Sequence, residues 1–276
     1  MKMVHAQLQS ILPAKLRPLL PEAGIESLAE IRLRLSYPAQ LVYLNKAVDV
    51  GKPISQDDLN FCVNTASRYS PWNSISMKQG YLTASGGHRI GVCGECCAEG
   101  IRSLTSACIR VAKDLQGISA QIPVRDSLLV IGSPGSGKTT MLRDYIRRIS
   151  NSGHGAVCVV DERSEIFPFS CGKPCFEPGK NTDILIGVQK QKGIGAVIRS
   201  MGPAWVALDE ITEQADCDAM VQALWCGVKV IATAHASGVS DLLSRPVYQP
   251  LVRSKVFSTV VVMHPDKSYH LERISR

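Results

Sequence analysis

Aromatic residues are scarce: five phenylalanines, three tryptophans and seven tyrosines in 276 residues. A stacking platform for single-stranded nucleic acid needs aromatic faces, so this composition argues against one. Long apolar runs are missing too. None approaches the roughly 18 residues of a membrane-spanning helix. The longest stretches, such as Val256 to Met263, are strand-sized and include Ser258 and Thr259. Nothing at the start reads as a secretory leader. Pro13, Pro18 and Pro21 interrupt the region that would have to be apolar, and Lys15 and Arg17 charge it. There is no charged tail. The net charge of +7 divides into +4 over residues 1–115 and +3 over the rest. So diffuse an excess permits contact with an acidic surface without demanding it. The expectation is a cytoplasmic protein whose ten cysteines are reduced thiols.

What is present is an ordinary globular composition, 45% apolar and 20% charged, in a chain long enough for two domains. Residues 1–115 read as a smaller α+β domain. Glu30 to Leu35 alternates, and Leu41-Val42-Tyr43-Leu44 is its partner strand. Ser55 is a helix N-cap with Asp57 and Asp58 in the first turn. Leu59, Cys62, Val63, Ala66 and Tyr69 follow at helical spacing, up to a stop at Ser70-Pro71. Gly80 to Thr83 and His88 to Val92 form a hairpin around Gly86-Gly87. Ala107 to Ala112 is a further short strand.

Cys93, Cys96 and Cys97, with Cys171 and Cys175, hold enough thiolates for a zinc ion. They also read as small apolar residues in strands and turns. Their separation across a domain boundary favours that second reading. Cys62, Cys108, Cys158, Cys217 and Cys226 are isolated and read as core.

Residues 114–126, with Gly117 and Pro123, read as a linker, and residues 116–276 as the second domain. Here strands alternate with helices. Leu128 to Ile131, Val157 to Val160, Trp205 to Leu208 and Val228 to Ala232 are unbroken apolar runs. Such runs fit parallel strands buried on both faces. Met141, Leu142, Tyr145, Ile146 and Ile149 follow helical spacing, as do Met220 and Leu224 before the stop at Gly227. The class is α/β with a parallel core sheet.

Gly132-Ser133-Pro134-Gly135-Ser136-Gly137-Lys138-Thr139 is a complete G-x-x-x-x-G-K-T loop between a strand and an amphipathic helix. Its backbone N–H groups, continuing to Thr140, cradle phosphate at the positive end of the helix dipole. Lys138 is expected to reach the β- and γ-phosphates, and Thr139 to ligate Mg²⁺. Asp209 and Glu210 end a buried strand. Asp209 is the second Mg²⁺ ligand and Glu210 the favoured base for an attacking water. Between these motifs lies an extra strand ending in Asp161-Glu162-Arg163-Ser164-Glu165. Glu165 and Glu162 are the runner-up bases, and Asp161 is a further candidate to assist. The N-K-x-D motif of guanine recognition is absent, which makes ATP the expected nucleotide. Thr233 and His235 follow the next strand. If that strand lies between the other two, either can sense the γ-phosphate.

The order of P-loop, acidic box, Asp-Glu strand and Thr-Ala-His strand resembles the secretion-type ATPases of type II secretion and type IV pili. The resemblance is closer to the stage III sporulation protein AA family, and it runs over nearly the whole chain. Ala29-Glu30-Ile31-Arg32-Leu33-Arg34, Gly86 to Gly94, Val160 to Glu165 and Ser244-Arg245-Pro246 are the segments that carry it. The resemblance implies a RecA-like ATPase, binding ATP and Mg²⁺, on the mother-cell side of a sporulating bacterium. It would power or assemble a secretion-like channel as a hexameric ring on a membrane-embedded partner, with no nucleic acid involved. It further implies that Arg89 and Arg110, on strands before the core, approach a nucleotide as arginine fingers. An ordinary surface salt bridge is the alternative for each. One departure stands out: secretion ATPases carry Gly-Glu-Ile-Arg where this chain has Asp209-Glu210-Ile211-Thr212. Two other readings remain. A RecA-like nucleic-acid motor predicts DNA-stimulated hydrolysis, and a nucleotide switch predicts binding without turnover.

Overall fold

The structure is a computed structural model that describes residues 2–21, 24–43, 46–67, 81–97, 100–170 and 172–274. It divides into two compact units. The division is not a single cut: Met1–Lys113 with Pro168–Phe176 form one unit, and Asp114–Phe167 with Glu177–Arg276 form the other.

The first unit contains α1 (Lys2–Ile11), β1 (Leu28–Arg34), β2 (Ala39–Tyr43), β3 (Ala47–Val50), α2 (Gln56–Ser67), β4 (Tyr81–Thr83), β5 (Arg89–Cys97) and β6 (Gly100–Arg110). The strands form an antiparallel sheet in the order β3-β2-β1-β6-β5-β4. Alternation along β1 sends Ile31 and Leu33 into the core with Ile90 and Ile109. Leu8, Ile11 and Leu12 of α1 and Leu59, Cys62 and Val63 of α2 join that core. Glu30, Arg32 and Arg34 occupy the alternate positions of β1. Ser55 caps α2 as expected: its hydroxyl lies 2.6 Å from Asp58 Oδ2 and accepts the Asp58 N–H at 3.3 Å. The stop at Ser70-Pro71, and Tyr69, lie outside the described residues. β6 begins well before Ala107, because β5 pairs with it from Arg89 to Cys97. Two register shifts break the alternation there, so the sequence pattern hides that half of the hairpin.

In the second unit, β7 (Leu128–Gly132), α3 (Lys138–Asn151) and β8 (Val157–Asp161) come first. Pro168–Phe176, which belongs with the first unit, carries the short hairpin β9 (Phe169–Ser170) and β10 (Lys173–Pro174). Then follow β11 (Thr182–Ile186), α4 (Lys190–Met201), β12 (Trp205–Leu208), α5 (Gln214–Trp225), β13 (Lys229–Ala234), β14 (Thr259–Met263) and β15 (Tyr269–Arg273). The sheet order is β11-β8-β12-β13-β7-β14-β15, parallel except for the final antiparallel pair. Every residue of β7, β8 and β12 is buried, as their unbroken apolar character requires. β13 lies between β12 and β7, which places its end beside the P-loop.

The segment read as a linker is fastened to α3. Asp144 accepts the N–H groups of Gly117 and Ser119 at 2.9 and 2.8 Å and the Ser119 hydroxyl at 2.7 Å. Tyr145 donates to Pro123 O at 2.9 Å, and Arg147 pairs with Asp114. Backbone groups of Gly117, Ser119 and Pro123, with the Asp114 and Ser119 side chains, make these bonds.

Candidate nucleotide-binding site

Five strand ends and two helix starts build the site. β7 delivers Gly132, and the loop turns into α3 at Gly137, whose φ of +102° disfavours a side chain. A Cβ on Gly132 would lie 2.7 Å from Met263 O and 2.6 Å from Ser136 Oγ. The loop is therefore seated against β14 with no room to spare. Ser133, Pro134 and Gly135 form its exposed apex.

Lys138 is buried and donates to Gly132 O and Ser133 O, both at 3.0 Å. Burial lowers its pKa, and the charges of Asp209 and Glu210 oppose that shift. Thr139 Oγ1 donates to Asp209 Oδ2 at 2.9 Å. The Thr233 hydroxyl donates to the other oxygen of Asp209 and accepts the Glu210 N–H at 2.8 Å. Thr140 follows, half-buried, on the first turn of α3.

Glu210 sits in the left-handed region, with φ +43°. Its carboxylate is 3.2 Å from His235 Nε2, and His235 Nδ1 is 3.2 Å from Lys138 Nζ. A neutral ring protonated on Nε2 satisfies both contacts. Thr139, Asp209, Thr233, Glu210, His235 and Lys138 thus form one chain of polar contacts, whose two ends are neighbours in sequence at the start of α3.

The acidic box forms the opposite wall. A cleft is lined by Asp161, Glu162, Arg163, Glu165, Lys190, Asp209 and Glu210. Asp161 holds its own loop: it accepts the N–H groups of Glu165, Ile166 and Phe167 at 2.8–2.9 Å. Burial pushes its pKa up to about 6, and those N–H bonds work against the rise. Arg143 on α3 grips the same loop through Ile166 O at 2.5 Å and Glu165 O at 3.1 Å. Glu162 lies 3.5 Å from Lys190 Nζ.

Two of the sequence-predicted site residues lie in the first unit. Arg89 and Arg110 face each other across β5 and β6, and Arg110 Nε is 3.8 Å from Glu30. The zinc reading falls partly outside the description. Cys171 is not among the described residues, and no cluster of three His, Cys, Asp or Glu able to hold a metal occurs among those that are. Cys226 is exposed and Cys108 half-buried, against the expectation that both are core. Cys226 caps the end of α5, beyond its buried face.

Sequence reasoning missed Lys190 and Arg143. The signal for Lys190 was its position. It opens α4 with no acid in the first turn, where a cation opposes the helix dipole.

The residues fit a nucleoside triphosphate with Mg²⁺. A buried lysine is satisfied by carbonyls of its own loop, a threonine hydroxyl meets a carboxylate, and Ser136 Oγ is buried with no partner among the described residues. The sequence matches the family described as sporulation stage III, protein AA, over residues 2–271. The chain belongs to that family. It is 33% identical over 273 residues to stage III sporulation protein AA of Bacillus subtilis, covering 91% of this chain and 88% of that protein. Its fold is similar to the pilus retraction motor PilT, solved with bound ADP, at a TM-score of 0.65 and 13% identity over 92% of this chain and 81% of that one. It is also similar to the ATPase DotB of Legionella pneumophila, at 0.59 and 14% identity over 88% and 75%. The second unit is therefore a RecA-like P-loop fold. No helix among the described residues is long and apolar enough to cross a membrane.

Proposed function

We propose that this chain is an ATPase of the secretion type, hydrolysing ATP to ADP and phosphate at the site above. The chain of polar contacts from Thr139 to Lys138 carries the reading. It ties the P-loop helix to the ends of β12 and β13 through the groups that in-line attack on a γ-phosphate requires. A glycine-rich turn of purely structural purpose needs no such chain of contacts.

The loop N–H groups and Lys138 hold the phosphates, with Lys138 exchanging its two carbonyl partners for phosphate oxygens. Thr139 and Asp209 would hold Mg²⁺, which would supply neutralisation of the phosphate charge when bound. Glu210 takes the proton of the attacking water at its carboxylate. His235 Nε2 orients that carboxylate, and the Thr233 hydroxyl fixes Asp209. Glu162, engaged with Lys190, and Glu165 stand behind Glu210 as bases.

Family membership supports a role in sporulation. Within it, the chain acts as a homo-oligomer, in our reading a hexamer, at the mother-cell face of the forespore, docked on a membrane-embedded channel component. Arg89 and Arg110 serve the nucleotide as arginine fingers. The decisive experiment is ATP turnover per protomer against protein concentration, with Lys138→Ala as control. Turnover should rise cooperatively and vanish in the variant. Its absence at every concentration would reduce the reading to nucleotide binding.

A further inference from the structure

Lys190 is buried, and its amine meets three elements at once. Nζ donates to Glu210 O at 3.1 Å and lies 3.5 Å from both Glu162 Oε2 and Asp216 Oδ2. Asp216 is fully buried and accepts from Thr212 N at 3.1 Å and Gln191 Nε2 at 3.1 Å. It therefore has partners of its own, and the lysine is not needed merely to satisfy it.

Lys190 meets Glu210 at the backbone. A glutamate at positive φ is held there by its surroundings. One side of that constraint is the Glu210 N–H, bound by Thr233 Oγ1 and by Asp209 Oδ1 at 3.0 Å. The other side is the carbonyl, bound by Lys190. The two grips act on either side of one Cα and set the direction in which its carboxylate leaves the chain.

We infer that Lys190 is a positioning residue, which locks the Glu210 backbone in its left-handed turn and so aims the Glu210 carboxylate at the reacting water. The inference rests on the ATPase reading above. It assigns Lys190 no contact with the nucleotide.

Lys190→Met and Lys190→Arg in the full-length chain test it, each also in a Glu210→Gln background. Steady-state kcat and KM for ATP, Kd for a non-hydrolysable ATP analogue, and Tm are measured. Lys190→Met should lower kcat by about tenfold or more, with Kd for the analogue within about twofold of wild type. In the Glu210→Gln background the same change should cause no further loss, because the group it aims is gone. Lys190→Arg should recover part of kcat. If Lys190→Met does not fold, Lys190→Gln keeps a polar head for the Asp216 pocket with a shorter reach to the carbonyl, and the same non-additivity is expected. Wild-type kcat in the lysine variants overturns the inference while the ATPase reading stands. A loss that multiplies fully with Glu210→Gln, or that follows Tm alone, also overturns it by making the role purely structural. No turnover by the wild type at any concentration fells both.

Discussion

Glu210 and His88 show what burial and backbone do to single residues. In Glu210→Gln the side chain keeps its size and its approach to His235 but can no longer take a proton. ATP affinity should persist while turnover falls about 10²–10⁴-fold, a split that equilibrium binding and steady-state kinetics separate directly. His88 is fully buried in the first unit and accepts the Ala112 N–H on Nδ1 at 3.0 Å. Its Nε2 has no partner among the described residues. Burial pulls its pKa from 6.5 down to about 4. The unfolded chain therefore binds the proton first. Stability from this group is intact above pH 6.5 and is lost as the pH falls towards 4. Between pH 7 and pH 5 the loss should be about 2 kcal/mol. His88→Gln should flatten that slope in urea unfolding at the two pH values; equal slopes would show that His88 is not its source.

Elements differ in how plainly the sequence declares them. The strands of the second sheet core are continuous apolar runs, and α3 buries its apolar residues Met141, Leu142, Tyr145, Ile146 and Ile149, although Arg143, Asp144 and Arg147 between them are buried as well. Those are readable because burial on both faces, or on one stripe, leaves no alternative pattern. β11 is an edge strand with half-buried residues around Asp183, and its weak pattern hides it. The P-loop and Asp209-Glu210 were legible because their chemistry needs fixed spacing. Lys190 was not, because its partners come from the loops after β8 and β12 and from α5 and meet only in three dimensions. Residues 114–126 read as a linker because Gly117 and Pro123 leave no periodic apolar pattern, yet Asp144 binds the segment at Gly117 and Ser119. Asp144→Ala would leave the buried Ser119 N–H and hydroxyl without their acceptor, and would free the Gly117 N–H at an exposed residue. It should cost about 2–4 kcal/mol in chemical denaturation, and hydrogen exchange at Gly117 and Ser119 should accelerate.

At the scale of the whole molecule, the proposed fingers and the proposed site lie in different units. Arg110→Ala should therefore leave nucleotide affinity intact and lower turnover on the order of 10³-fold. Unchanged turnover would return Arg110 to an ordinary partner of Glu30. The interleaving of the two units bears on how the protein can be taken apart. The chain passes between them at residues 113/114, 167/168 and 176/177. In the first unit a Cβ on Gly87 would come within 2.9 Å of the Phe176 ring, so that ring is packed directly on the Gly86-Gly87 turn. A recombinant fragment ending at residue 113 would lose it, and a fragment starting at 114 would carry Pro168–Phe176 without its seat. The two halves are not interchangeable cassettes, and only an internal deletion or a circular permutation could free either one intact.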